Sequence, residues 1–571
     1  MYHSRQTFYF IFWAFVPLWL SNYENCAAQN ETAVIKQEIA QLSSRAPFVM
    51  PAFEVPSFPD RTFDIQNYGA VADGKTLNTK AINDAIHACT NSGGGMVIVP
   101  PGTWLTGPIK IESNVNLHLE HGALIQFSKR IDDFPLIAGL NGKSKRYVRT
   151  PPLYAFKAKN IAITGNGIID GAGEVWRYVK KSKLTSAQWK QKAAGGGYVS
   201  PDGKEWWPSK EAYEGDAYLK QLEKSGKQPT RDDFEYVREF LRPDLVILDE
   251  CNGILIDGTT FENSPKFHVR PQHSENIIIR GVKVFAPWYG QNNDGIDPTS
   301  CRNLIVYNCI LDVGDDGICL KPGSLAASQK PGAACENIIV ANCAVYHAHG
   351  GFVIGSESYG GVNNVFVTNC AYVGTDIGLR FKSLRGKGGL VENVFVDGIS
   401  MRSIETDAIL FDMYYGGNAP EDEAGKKDDT RDAQPVNNRT PRFQNFSIKN
   451  IVCLGAKSAM TVKGLAEMPV KNIVLENVSI ESENGIFLTQ ADGISFRNAT
   501  ITPRNGAVVS IDDSRNITIT GMKYPAGAEE FLNVAGEKSA AIRLSSVDLS
   551  LAKKGIETGK DVPAHAVEIA K

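Results

Sequence analysis

The chain has 571 residues, with 60 lysines and arginines against 63 aspartates and glutamates, a formal net charge of -3, 43% hydrophobic and 22% charged residues. This composition is ordinary for a soluble globular protein. It lacks the basic excess of a general nucleic-acid binder, yet leaves room for a local basic patch that meets an acidic ligand. The length suggests several domains, but a repeat fold grows by stacking units and can pass this size undivided.

The first residues read as an export signal, 1–28. Arg5 precedes an apolar run at 8–20, interrupted by Pro17, and Cys26-Ala27-Ala28 offers small residues for cleavage after Ala28. The run is too short for a comfortable transmembrane helix, and no later stretch would span a membrane. The expectation is export to the periplasm or the exterior, with lipid anchoring at Cys26 disfavoured because Asn25 stands where a small residue belongs. Residues 29–60 read as a linker and 61–571 as one domain. Signal removal leaves nine cysteines without a disulfide framework or metal-finger spacing. Cys309, Cys343 and Cys370 each follow an asparagine and are expected as a stack of small buried thiols.

Next comes a helix over Thr79–Cys89, with Asn78 as its cap and Ala81, Ile82, Ala85 and Ile86 on one face, suited to covering the end of a solenoid. Gly93-Gly94-Gly95 leads into a strand at Met96–Val99 and carries no lysine–serine pair, so it is not a phosphate loop. From there one phrase recurs: an asparagine, then alternating β-branched or apolar residues. It begins at Asn160, Asn276, Asn303, Asn337, Asn364, Asn393, Asn445, Asn472 and Asn516. The spacing and the Val/Ile-rich strands predict a parallel β-helix whose asparagines ladder at the turns. Two segments break the repeat. The polar, helix-favouring insertion 172–245 carries Trp176, Trp189, Trp206 and Trp207 and is expected as a lid over a groove. The charged stretch 416–441 reads as a solvated loop.

Polar residues gather in four consecutive coils: Asn292-Asn293-Asp294, Gly314-Asp315-Asp316-Gly317, His349-Gly350 and Arg380-Phe381-Lys382. Coils stack about 5 Å apart, so these steps place carboxylates, an imidazole, a guanidinium and an ammonium in one column. Glycoside hydrolysis needs such a set, with one carboxyl protonated for the leaving oxygen and another ionised to activate water. Crowded acids separate their proton affinities. Arg380 and Lys382 alternate along a strand and so share a face, where they would pair with a carboxylate on an acidic sugar. Asp315 and Asp316 cannot both face the column within one strand, so they are expected at a strand entry, with Gly314 and Gly317 allowing the turn.

At these residues the sequence resembles the polygalacturonase family, glycoside hydrolase family 28. That family is marked by Asn-Thr-Asp, Gly-Asp-Asp, Gly-His-Gly and Arg-Ile-Lys along a right-handed β-helix. Asn293, Ala348 and Phe381 depart from its pattern without removing a titrating group. The resemblance implies an inverting hydrolase of α-1,4-galacturonosyl bonds in pectin, with Asp315 as acid and Asp294 and Asp316 activating water. It gives His349 the tuning of the acid, and gives Arg380, Lys382, Asn292 and a tyrosine on the next coil the binding of substrate. Tyr414 is expected in that last place and Tyr415 is its alternative. No metal or other cofactor is implied, and a monomer is favoured. Gly351–Glu357 and the insertion look like bacterial exo-acting members, which release galacturonate from the non-reducing end. Alternatives are a rhamnogalacturonan or decorated-pectin galacturonidase, a pectate lyase on the same scaffold, and a non-catalytic pectin-binding β-helix.

Overall fold

The computed structural model describes residues 16–323, 334–415 and 433–570, with side chains from residue 31 onward. The chain coils into a parallel β-helix in which each short strand pairs in parallel with its counterparts one coil below and above. One track of strands carries the site. It runs through Leu153–Phe156, Val246–Asp249, Val269–Gln272, Asp316–Leu320, Gly350–Ile354, Leu379–Lys382, Asp407–Asp412 and Ser458–Lys463. Isolated bridges at Ile296 and Thr299 fill the coil between Gln272 and Asp316.

The inward residues of this track form a column: Val269, Ile296, Ile318, Phe352, Leu379, Ile409, Met460 and Ile486 occupy successive register positions. All are buried. Period-two alternation within each strand therefore becomes one continuous core when the coils stack. Removing this apolar surface from water is the main force holding neighbouring coils in register.

The expected asparagine ladder is present. Each predicted asparagine takes a left-handed backbone conformation, with φ between 53° and 60°. Side-chain amides link neighbouring coils, as in Asn303 to Asn276 at 3.0 Å, Asn337 to Asn303 at 3.2 Å and Asn364 to Asn337 at 3.1 Å. Asparagine tolerates this conformation, and its amide satisfies polar groups at a turn. Cys309, Cys343 and Cys370 are buried free thiols in the core, as read from their spacing.

Helix α2, Thr79–Asn91, covers the N-terminal end and buries Ala81, Ile82, Ala85 and Ile86. Asn78 does not cap it through its side chain. Its amide instead accepts from Val71 N and donates to Val71 O, Thr76 O and Leu105 O, which ties down the preceding loop.

Residues 29–60 differ from the expected linker. Helix α1, Val16–Arg45, and the extended chain after it lie along the outside of the solenoid. Ile35, Leu42 and Val55 are buried there against Leu255, Ile278, Ile305 and Ile339. Glu38 accepts from Tyr307 Oη at 2.9 Å and Arg280 Nε at 3.0 Å. Ile35, Ile39 and Leu42 stand at helical spacing, an apolar face legible in the sequence that the linker reading missed. Among the described residues no helix is long and apolar enough to cross a membrane.

The insertion holds helices α3, Ser186–Ala194, α4, Lys210–Lys224, and α5, Arg231–Tyr236, with a small antiparallel sheet. Thr185 and Thr230 close capping boxes with Gln188 and Asp233. Leu219, Phe234 and Val237 pack with Leu136 from a hairpin at 136–149. Most of the charged stretch, 416–432, lies outside the described residues.

Candidate active site

The site lies on the outer face of the track where Asp294, Asp315, Asp316, Lys321, Lys382 and Tyr415 line a cleft of about 690 Å³. Asp316 opens the strand Asp316–Leu320 and Asp315 precedes it, so the strand-entry expectation is met. The glycines act by close approach rather than by unusual φ. A Cβ on Gly314 would meet Gly290 O at 2.6 Å, and one on Gly317 would meet Val345 Cγ1 at 2.5 Å.

Asp294, Asp315 and Asp316 each place an oxygen within 4.8 Å of the others. Their surroundings differ. Asp316 is 2% exposed and clamped by Lys382 Nζ at 2.7 Å and Arg380 Nη1 at 3.2 Å. Burial alone would push its pKa up, but Lys382, Arg380 and Lys321 outweigh that and hold it well below the usual carboxylate range. Asp294 is 3% exposed and pairs with Lys321 Nζ at 2.9 Å. Burial, reinforced by Asp315 and Asp316, outweighs Lys321 and raises it to about 7. Asp315 is the carboxyl most open to the cleft, at 18%. Its oxygens meet His349 Nδ1 at 3.0 Å, Asp316 N at 3.0 Å and Asn292 N at 3.2 Å. Burial lowers the His349 pKa, but its bond to Asp315 and the charges of Asp315 and Asp376 outweigh this, leaving it above the ordinary value.

A divalent cation could span three such oxygens. However, Asp294 and Asp316 already pair with buried cations, so the cluster lacks the uncompensated negative charge that would attract one. This argues against a calcium-dependent lyase.

The structure thus brings together Asp294, Asp315, Asp316, His349, Arg380, Lys382 and Asn292. Tyr414 is a correction. It is 5% exposed, its ring lies beside Arg385, and it belongs to the core, whereas Tyr415 is 37% exposed and lines the cleft. The Tyr415 ring sits 4.7 Å from Lys382 Nζ and 5.3 Å from the Arg380 guanidinium carbon. Successive residues point to opposite sides, and the alternative tyrosine holds the outward place.

Sequence reasoning missed several cleft residues. Lys321 follows the strand Asp316–Leu320 and pairs with Asp294 at 2.9 Å and Asp297 at 3.7 Å. Lys266 and Arg270 flank Phe267 on the coil below and share the buried Asp244, at 3.9 and 2.9 Å. Asp297 is wholly buried with neither carboxyl oxygen hydrogen-bonded. Burial, then the Asp294 charge, pushes its pKa well up. Two basic residues of the insertion or its exit reach the site and had no sequence signal. Lys183 Nζ lies 3.4 Å from His349 Nε2, and Arg242 donates to Gln291 O at 2.9 Å and Asn292 Oδ1 at 2.8 Å.

A parallel β-helix with a carboxylate trio and a basic clamp in an open cleft defines a carbohydrate-cleaving class of protein. Comparison with known proteins agrees. Residues 235–424 match the model of glycosyl hydrolases family 28, and residues 62–189 match rhamnogalacturonase A/epimerase, pectate lyase-like. A probable polygalacturonase of Vitis vinifera is 26% identical over 72% of this chain and 73% of its own length. An exo-poly-alpha-D-galacturonosidase of Dickeya chrysanthemi is 26% identical over 81% and 74%. The crystal structure of a hyperthermoactive exopolygalacturonase from Thermotoga maritima superposes with a TM-score of 0.64 at 28% identity, covering 81% of this chain and 95% of that one. The chain is similar to glycosyl hydrolases family 28 and is a glycoside hydrolase.

Proposed function

We propose that the protein hydrolyses α-1,4-galacturonosyl linkages of pectin, acting from the non-reducing end to release galacturonate, with inversion at the anomeric carbon. The observation that carries this reading is the carboxylate trio beside the Arg380–Lys382 clamp in one cleft. The names of the Vitis, Dickeya and Thermotoga relatives support the substrate class.

Asp315, the carboxyl facing the cleft, protonates the leaving oxygen, and His349 at 3.0 Å shares its proton. Asp316, held ionised by its cations, accepts a proton from water. The separation of these acids is shorter than the 6.5–9.5 Å usual for inverting enzymes. The gap between Asp294 and Asp316, within 4.8 Å, is nevertheless spanned by one water at ordinary hydrogen-bond lengths. That water is the nucleophile. Arg380 and Lys382, under Tyr415, bind the substrate carboxylate beside Asp316.

The exo mode rests on asymmetry. The hairpin at 136–149 and the insertion enter just before Leu153–Phe156 and Val246–Asp249, the coils on the N-terminal side of the cleft. The insertion reaches the site through Lys183, with Arg242 beside its exit. Toward the C-terminus the same track continues without such an insertion among the described residues. With the apolar leader, export to the periplasm or exterior follows from this reading.

The test is a product time course on polygalacturonate and trigalacturonate with chelator present, followed by proton NMR of the first anomer formed. Galacturonate alone from the outset, as the β-anomer, is expected. A ladder of mixed oligomers would reject the exo mode, and the α-anomer would reject the water-bridged route. No cleavage of either substrate would turn the reading to rhamnogalacturonan or decorated pectin.

A further inference from the structure

Beyond the catalytic cleft the same sheet face holds a second groove, of about 420 Å³. Two outward register rows lead into it from the clamp. Arg380 is followed by Leu410, Thr461, Phe487, Ser510 and Asn533, and Lys382 by Asp412, Lys463, Thr489, Asp512 and Ala535. Phe487 is three interstrand steps from Arg380, roughly 14 Å at the spacing of neighbouring strands. Its ring is 38% exposed and belongs to none of the hydrophobic clusters among the described residues.

We infer that this groove is a distal sugar-binding site for uncharged units of the same polysaccharide, methyl-esterified galacturonate or neutral sugar. This inference rests on the pectin reading above and adds the groove's ligand class. The groove continues the catalytic cleft on one sheet, so a chain whose end lies at Asp315 and which leaves toward the C-terminal coils passes over it. Its lining suits a sugar. An open phenyl ring offers an apolar face to the C–H side of a pyranose, and Thr489 and Ser510 offer hydroxyl groups to its edge, beside Thr461 and Asn533, which donate to Asp407 and Glu530 and keep their oxygens as acceptors. Its charge differs from that of the cleft. Lys463 and Asp512 are the ionisable groups lining it, one of each sign, so it lacks the basic excess that would select a free carboxylate.

The experiment compares Phe487→Ala with the unsubstituted protein on trigalacturonate, fully de-esterified polygalacturonate and partly methyl-esterified galacturonan. Phe487 is partly open, and circular dichroism with thermal unfolding checks that the fold is kept. The expected result is a KM for the esterified polymer raised roughly two- to ten-fold, with kcat and trimer kinetics unchanged. The shift on the de-esterified polymer is expected to be smaller. Equal shifts on trimer and polymer, or none on either, would overturn the inference, and a larger shift on the de-esterified chain would overturn its preference for uncharged units. Retardation in gels containing the esterified polymer reads binding without turnover. If the unsubstituted protein cleaves none of these substrates, the proposed function fails. The groove still stands if that protein is retarded and Phe487→Ala is retarded less, and it falls if the two migrate alike.

Discussion

Replacing Lys382 with methionine keeps an apolar stem and deletes one charge, which isolates the clamp on Asp316. The ammonium lies 2.7 Å from Asp316, with the two side chains 6% and 2% exposed. At an effective dielectric of 20, Coulomb attraction over that distance is at most about 6 kcal/mol. Desolvation and the remaining Arg380 and Lys321 reduce the net effect, and the loss of one close opposite charge shifts a carboxyl by roughly 1–3 pKa units. The sign follows from the depressed value. A carboxylate held low in the folded state contributes stability above its unfolded pKa and loses it as pH falls toward the folded pKa. Lys382→Met is therefore expected to cost roughly 1.4–4 kcal/mol near pH 7. That deficit shrinks at acid pH, where the substituted protein protonates Asp316 more readily. The acid limb of kcat should move up by the same roughly 1–3 units, because the ionised base is then lost at higher pH. Urea unfolding from pH 7 down to pH 2, with a pH–rate profile on trigalacturonate, measures both effects, the deficit closing only at the acid end where Asp316 of the substituted protein titrates. A deficit independent of pH, or an acid limb that stays in place, would refute the claim that Lys382 keeps Asp316 ionised.

Asp315→Asn is expected to leave unfolding unchanged within about 1 kcal/mol while lowering kcat by roughly 10²–10⁴-fold, read by steady-state kinetics; near-normal turnover would remove Asp315 from the acid role. The two tyrosines should separate cleanly. Tyr415→Ala is expected to raise KM by roughly 2–30-fold through lost contacts around the clamp with little change in stability. Tyr414→Ala is expected to cost roughly 3 kcal/mol of folding free energy because it empties core volume. The reverse pattern in kinetics and thermal unfolding would restore Tyr414 to the cleft.

What the chain reveals before folding is whatever repeats or lies close in sequence. The asparagine phrase predicts the coils because each copy meets the same local demand, a left-handed turn with a side chain to bridge it, at Asn276, Asn303, Asn337 and Asn364. Stacking turns coil spacing into the column of Asp294, Asp315, His349 and Arg380, so most of the candidate site was legible as well. Tertiary structure decided what depends on contacts between distant segments. It decided which coils receive the apolar face of α1, and it brought Lys183 to His349 across 166 residues. It set Asp294 and Asp316, chemically identical in sequence, on opposite sides of the usual carboxylate range. One is buried with a single cation in direct contact, and the other is clamped by two. Residue type and spacing state which groups can meet. Burial and the count of opposing charges around each group, which exist only once the coils have stacked, determine which of them carries the proton.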